Sequence, residues 1–370
     1  MVSPHAEQVE AGQSPGTPTM RAMVVEAFGG PEVLKLKEVP IPTPGAGEVL
    51  VRVRASALTR TRDVGTRAGR GPVFPRLVSF PHIFGGEHAG TVQAVGPGVS
   101  DELVGVRVAV ASPIYCERCD ACLGDRHWEC SAPKLVGINH PGSNAEFTVV
   151  PAGNLENLPD TVSYADGALL AYGGPLADAE LKAARTVEGE WVLVPGASGA
   201  VGSLAVGLAV RKGARVIALT RSPDAHAPLK ELGAEAVLDT DRPDLGEAIL
   251  EQTHRHGVDV VIDNLTLIEL WERYWPAIAR AGRVVVCGRV GDFDKPLPVN
   301  VIGLYQRHLS LIGVAIGDRR EVKSFWDDMR TASMPLPAAL VTAFPLERAA
   351  EAHAQLEQGA KLGHFALTVD

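Results

Sequence analysis

The segment that most constrains the fold runs from Trp191 to Lys212. An apolar β-run, Trp191 to Val194, is followed by Gly196-Ala197-Ser198-Gly199-Ala200-Val201-Gly202, which passes directly into an apolar helix spanning Ala200 to Lys212. Gly-x-x-Gly-x-x-Gly at a strand-to-helix turn lets the backbone approach a pyrophosphate. It also sets the anion on a helix N-terminus, where free N–H groups and the dipole favour negative charge. A glycine triplet alone is a weak signal in a chain with 39 Gly and 27 Pro. The alternation that follows strengthens it. Predicted strands Arg215 to Leu219, Ala236 to Leu238, Val258 to Ile262, Arg283 to Cys287 and Leu309 to Val314 are interleaved with predicted helices Leu229 to Leu232, Leu245 to His254 and Ile268 to Arg280. Strands joined by single helices imply a parallel sheet with right-handed crossovers. The class is therefore α/β, with a doubly wound sheet and a dinucleotide-binding turn built from Gly196, Ser198, Gly199, Ala200, Val201 and Gly202.

The second predicted strand ends at Leu219-Thr220-Arg221-Ser222. An Asp or Glu here would bond the ribose hydroxyls of NAD, whereas an Arg among small hydroxyl residues suits a 2′-phosphate. Thr220, Arg221 and Ser222 contain no carboxylate, so NADP(H) is the expected cofactor.

Upstream, the chain reads as β-rich, with short runs at Ala22 to Val25, Val49 to Val53, Gly90 to Val95 and Arg107 to Val110 punctuated by Gly and Pro turns. Residues 1–20 have almost nothing to bury and read as a disordered tail, with Met20 a candidate start. Downstream, Leu346 to Gln358 suits an amphipathic helix and Phe365 to Val369 a terminal strand. Four of the five cysteines fall at Cys116, Cys119, Cys122 and Cys130. This C-x2-C-x2-C-x7-C spacing fits a closed tetrahedral Zn2+ site, a structural metal, with disulfides or an iron–sulfur cluster as the competing readings. Cys287, at the end of an apolar strand, reads as core.

At 370 residues the chain is ample for two domains. Its net charge of −9 argues against a nucleic-acid partner. No apolar run reaches membrane-spanning length, so a cytoplasmic protein acting on a small molecule is expected.

Together these features resemble the medium-chain dehydrogenase/reductase superfamily of zinc alcohol dehydrogenases and quinone oxidoreductases. The resemblance spans Arg21 to Asp370. Beyond the glycine turn and the cysteine lobe it rests on Met20-Arg21-Ala22-Met23, Pro44-Gly45-Ala46-Gly47-Glu48-Val49-Leu50-Val51 and Gly85-Gly86-Glu87-His88-Ala89-Gly90, together with Ala94-Val95-Gly96-Pro97-Gly98-Val99 and Ala281-Gly282-Arg283-Val284-Val285-Val286. It implies a GroES-like β domain over 21–169 with a zinc lobe at 113–133, a Rossmann nucleotide-binding domain over 170–317, and a return to the first domain over 318–370. It further implies a homodimer with Leu309 to Val314 near the contact, Val290 and Val314 beside the cofactor, and catalysis in the cleft between domains.

The departures bear on chemistry. Where zinc-dependent members carry three ligands, this chain has Thr59 or Arg60, then Gly86, and then Ala171 or Tyr172. A catalytic zinc normally takes three protein ligands and keeps a fourth position open, so Glu87 alone does not make a site. His88 lies off the ligand register. Without a Lewis acid, acceptors that spread or cancel the incoming charge are favoured: a quinone, an enone or an iminium. The candidate polar groups are Thr59, Arg60, Asp63 and Tyr172, with Tyr172 as a proton or hydrogen-bond donor and Arg60 as holder of an anionic substrate group. Two alternatives remain: an alcohol or aldehyde dehydrogenase whose zinc is held by Asp63, His82 or Glu87, and a non-catalytic nucleotide-responsive binding protein.

Overall fold

The computed structural model describes residues 16–370 except 72, 292, 294, 316–318, 332–340 and 359–362. Its nucleotide half is a six-stranded, wholly parallel sheet: β1 (Trp191–Pro195), β2 (Arg215–Thr220), β3 (Ala236–Asp239), β4 (Val258–Ile262), β5 (Ile278–Val286) and β6 (Ser310–Gly313). The spatial order is β3-β2-β1-β4-β5-β6. Register runs from Trp191↔Arg215 on one side of β1 to Val192↔Val260 on the other. Alternate residues of these strands enter two separate cores. Val192, Val194, Val216 and Ile262 face one, and Leu193, Ile217, Val261 and Val284 face the other. Both faces are covered, which is why the strands read as continuous apolar runs.

The β-rich half is organised around the strand Glu48–Leu58, which pairs antiparallel with His88–Val95, with Phe147–Pro151 and with the chain's last strand, His364–Thr368. The return of the C-terminal residues to the first domain is thus carried by the ladder Phe365↔Leu58 to Thr368↔Ala55.

Three sequence expectations change. Thr19 and Met20 belong to a strand, Thr19–Val25, and Met20 is buried, so the proposed tail is shorter; residues 1–15 lie outside the described residues. The helix expected over Ile268 to Arg280 ends at Tyr274. Pro276 sits in a 3-10 turn at Trp275–Ala277, and Ile278 already begins β5, because proline lacks the N–H a helix needs. The expected boundary at 169/170 falls inside a 20-residue helix, α1 (Tyr164–Ala183).

Helix α1 joins the two halves. Its Leu170, Ala177 and Leu181 share one core with Ala55, Ala89 and Ala109 of the β domain and with Val192 and Val194 of β1. Its Gly167, Gly173 and Gly174 serve close approach rather than flexibility, and a Cβ on Gly174 would run into the ring of Phe325. Phe325 belongs to a later amphipathic helix, α3 (Arg319–Thr331), numbered after α2 (Ala200–Arg211), and is only 2% exposed. Phe325→Ala should therefore cost about 3–5 kcal/mol through lost burial and the cavity left against α1. Urea unfolding followed by far-UV circular dichroism measures it, and a loss below about 1 kcal/mol would show that the docking of α3 on α1 carries little of the stability.

Candidate active site and metal centre

The glycine turn begins where β1 ends. Gly196 takes a positive φ of 69°. The Leu265 side chain leans over it, so a side chain at this position would meet both strain and a clash. A Cβ on Gly202 would strike the Gly196 carbonyl, so the first turn of α2 can approach the loop only with glycine there. Gly199 is the helix N-cap and has no capping side chain, which leaves the N–H groups at Ala200, Val201 and Gly202 free to face an anion. Behind the loop, the Thr220 hydroxyl donates to Ser198 Oγ at 2.9 Å and accepts from the Ser222 N–H at 3.1 Å. The cradle fits a dinucleotide diphosphate. Gly363 N–H donates to the Ser198 carbonyl at 2.8 Å, and the buried His364 meets Ser203 Oγ at 2.6 Å. The β domain therefore braces the turn from below.

Arg221 is exposed at the end of β2, and among the described residues it has no ion-pair partner. Arg60 has none either. Partial desolvation and then repulsion from Arg221 lower its pKa, so two cations from different domains converge on one place. Val290 and Val314 are half-buried at the same edge of the sheet, their N–H groups bonded to Leu265 O and Val286 O.

Thr59 and Asp63 bond to each other. The buried Asp63 Oδ2 accepts from Thr59 N–H at 2.7 Å and Thr59 Oγ1 at 2.8 Å, closing the turn Arg60–Val64 on itself. The side chain that instead enters the cleft is Arg62, which sequence reasoning passed over. Its two terminal nitrogens grip both oxygens of the nearly buried Glu87, with Asp63 Oδ2 3.7 Å away. The guanidinium lies flat over Gly86, where a Cβ would come within 2.6 Å of Arg62 Cζ. Tyr172 stands close by. Burial and then the neighbouring Cys287 raise its phenol while the Arg62 charge lowers it, for a balance at about 12.

This arrangement does not fit a catalytic zinc. Glu87 is consumed by Arg62, Asp63 by Thr59, and Gly86 and Ala171 offer no donor atom. His82 packs edge-on to Phe84, 5.1 Å between ring centres. His88 is fully buried with Nδ1 on the Gly86 carbonyl at 3.0 Å, and desolvation pushes it down to about 4, a neutral core histidine. Cys287 is half-buried rather than plain core, and burial together with the neighbouring Glu180 carboxyl on α1 raises its thiol pKa.

The cysteine lobe, by contrast, fits a metal closely. The sulfurs of Cys116, Cys119, Cys122 and Cys130 lie within 4.8 Å of one another. A zinc tetrahedron with ~2.3 Å bonds has edges of about 3.8 Å, and Cys116 Sγ and Cys122 Sγ are 3.9 Å apart. Cys116 N–H points at Cys130 Sγ at 3.4 Å, and backbone N–H groups at Cys122 and Ser131 pull the Cys119 thiol down to about 5. These donors favour thiolates. Among the described residues this is the one group of three or more His, Cys, Asp or Glu side chains able to hold a metal. Such a site is structural, because four protein ligands leave no position for substrate.

Two family models match the chain. Residues 45–160 match an alcohol dehydrogenase GroES-like domain and residues 200–331 a zinc-binding dehydrogenase domain. The chain is 30% identical to an alcohol dehydrogenase of Geobacillus stearothermophilus over 95% of its own length and 100% of that protein. A crystal structure of an NAD-dependent alcohol dehydrogenase superposes with a TM-score of 0.86 at 31% identity, covering 95% of this chain and 100% of that one. A zinc-binding dehydrogenase from Sinorhizobium meliloti 1021 bound to NADP gives 0.84 at 25% identity, covering 95% and 99%.

Metal analysis of the purified protein should find one zinc per chain. Cys116→Ser or Cys130→Ser should release it and lower the melting temperature, since metal binding and folding of such a lobe are coupled. Two zinc ions per chain, or a metal-free variant with unchanged melting, would contradict this account.

Proposed function

Since the chain belongs to the zinc-type medium-chain dehydrogenase/reductase superfamily and is an oxidoreductase of that kind, we propose that it is an NADPH-dependent reductase of activated double bonds working without a catalytic zinc. The carrying observation is the Arg62–Glu87 pair laid over Gly86, at the position where zinc-dependent members place a metal ligand. When bound, the nicotinamide supplies the hydride. The chain's own residues position the acceptor and manage charge. An ordinary ketone would load a full negative charge on one oxygen, and no metal is available to take it. A quinone or enone spreads that charge, and an iminium cancels its own. Tyr172, its phenol held protonated far above neutral pH, can donate a hydrogen bond or proton to the acceptor, with the Arg62 charge nearby to stabilise what develops. Arg60 and Arg221 converge on the cofactor side, so we assign Arg60 to a cofactor phosphate in place of an anionic substrate group.

The test is a screen of quinones, enones, imines and simple ketones or aldehydes for NADPH oxidation before and after removal of loosely held metal. Activated acceptors should be reduced in both states. Turnover confined to simple carbonyls and abolished by chelation without unfolding would support the zinc-dependent alternative, and no hydride transfer to any acceptor would support a binding protein.

The proposed homodimer would use the apolar surface beside the edge strand β6. Val301, Ile302 and Tyr305 of the helix Val301–Gln306 are 65%, 59% and 63% exposed. Exposed side chains of this kind beside an open strand edge need a cover. Light scattering should give twice the 39.1 kDa chain mass; a 39.1 kDa particle at all concentrations would rule the pairing out.

NADPH should bind more tightly than NADH, and Arg221→Ala should narrow the gap by about tenfold or more, the worth of one charge-assisted hydrogen bond. Titrating both cofactors into both proteins at fixed salt checks this. Equal wild-type affinities, or an equal loss for both in the variant, would reduce Arg221 to a solvated cation.

A further inference from the structure

Glu180 is a carboxylic acid with no accessible surface on α1, whose other buried acid, Asp178, is paired with Lys182 and Lys212. Among the described residues it has no cationic partner. Asn264 Nδ2 donates to its Oε2 at 3.1 Å, the Cys287 thiol lies close enough to shift its titration, and its Oε1 is buried with no partner. Asn264 Oδ1 is also buried and unpartnered. Two orphaned acceptors on one hydrogen-bonded pair are costly. A proton on the carboxyl removes the cost, because a protonated acid is a donor as well as an acceptor and supplies the hydrogen this cluster lacks.

The location gives that proton a use. Asn264 stands two residues after β4 and Cys287 directly after β5, both at the carboxyl ends of the second half of the sheet. The first half carries the glycine turn and Arg221, the adenosine side. A dinucleotide lying across the reversal of strand order places its other half, the nicotinamide, at the ends of β4 and β5. Leu265, next to Asn264, already overhangs Gly196. Thr266 Oγ1 to Gly288 O at 2.9 Å ties the two loops together. An oxidised nicotinamide ring is a cation; the reduced ring is neutral.

We propose that Glu180 is a buried proton-binding group tied to the redox state of the cofactor, protonated when the neutral reduced form would be bound and ionised, its proton passed to solvent, when the cationic oxidised form would be bound. The balance is simple: the neutral acid and NADP+ give a carboxylate paired with bound NADP+ and one proton in the buffer. Burial and, less strongly, the nearby Asp263 raise the carboxyl while Asn264 and Cys287 lower it, for a balance at about 7, so the proton is held where modest forces can move it. The other ionisable groups facing it are Tyr172 on its own helix and Cys287, both neutral at this pH, while Asp263 is itself bound by the Tyr274 hydroxyl and the N–H groups of Leu265 and Thr266. Glu180 acts through Asn264 and Cys287 and is a positioning residue.

This rests on the reading that the crevice holds a nicotinamide cofactor, and the test separates the two. Dissociation constants for NADP+ and NADPH are measured from pH 6 to 8. Both forms carry the same 2′-phosphate, whose own titration cancels in their ratio. The NADP+ affinity relative to NADPH should rise with pH, tenfold for each pKa unit by which the ring's charge lowers the carboxyl. Glu180→Gln, which keeps the amide contact but cannot ionise, should flatten the ratio while still binding NADPH. In case the variant does not fold, wild-type calorimetry near pH 7 in two buffers of different ionisation enthalpy counts protons directly. More should be released with NADP+ than with NADPH. A ratio independent of pH, an equal proton count for the two forms, or a slope retained in Glu180→Gln would overturn the inference alone. Failure of both forms to bind would overturn the cofactor reading with it.

Discussion

The cleft of this protein depends on one topological constraint, the reversal of strand order at β1. Because β2 lies on one side and β4 on the other, the loops leaving β1 and β4 diverge and open a crevice that no other pair of neighbouring strands provides. Gly196, Asn264 and Cys287 all sit at carboxyl ends beside that opening. The second wall is supplied by α1, which carries Tyr172 and Glu180, and by the turn that presents Arg62.

Much of this was legible in the sequence. Val258 to Ile262 and Arg107 to Val110 are strands at the residues the apolar pattern picks out, and the helix after the glycine turn ends one residue earlier than its pattern. The pattern failed where residue type and burial disagree. Helix α1 contains Gly167, Gly173, Gly174 and Pro175, a composition that reads as turns. It forms because it is enclosed on nearly every side, by the β domain, α2 and α3, so packing outweighs propensity. At Trp275–Ala277 the reverse holds, and the local chemistry of Pro276 ends a helix that periodicity would extend.

The site was legible where chemistry is local. Four cysteines within fifteen residues announce a metal lobe, and three glycines announce a phosphate turn. Arg62, Glu87, Glu180 and Asn264 are separated by long stretches of chain and become a site only through the fold. A single Arg three positions beyond Thr59 carries no visible sign that its guanidinium will cover Gly86. Glu180 carries no such sign either; only the structure shows an acid fully buried beside an amide and a thiol.

The pairing of Glu48–Leu58 with His364–Thr368 also governs how the molecule is made. The strand at Glu48–Leu58 emerges from the ribosome long before His364–Thr368, the neighbour that covers its far edge. Throughout that interval the edge is open to other chains, and closing it requires the long-range contact that slows folding most. The same late segment brings Gly363 to Ser198 and His364 to Ser203. A nascent chain can thus complete its parallel sheet, yet its glycine turn stays unbraced until His364–Thr368 docks.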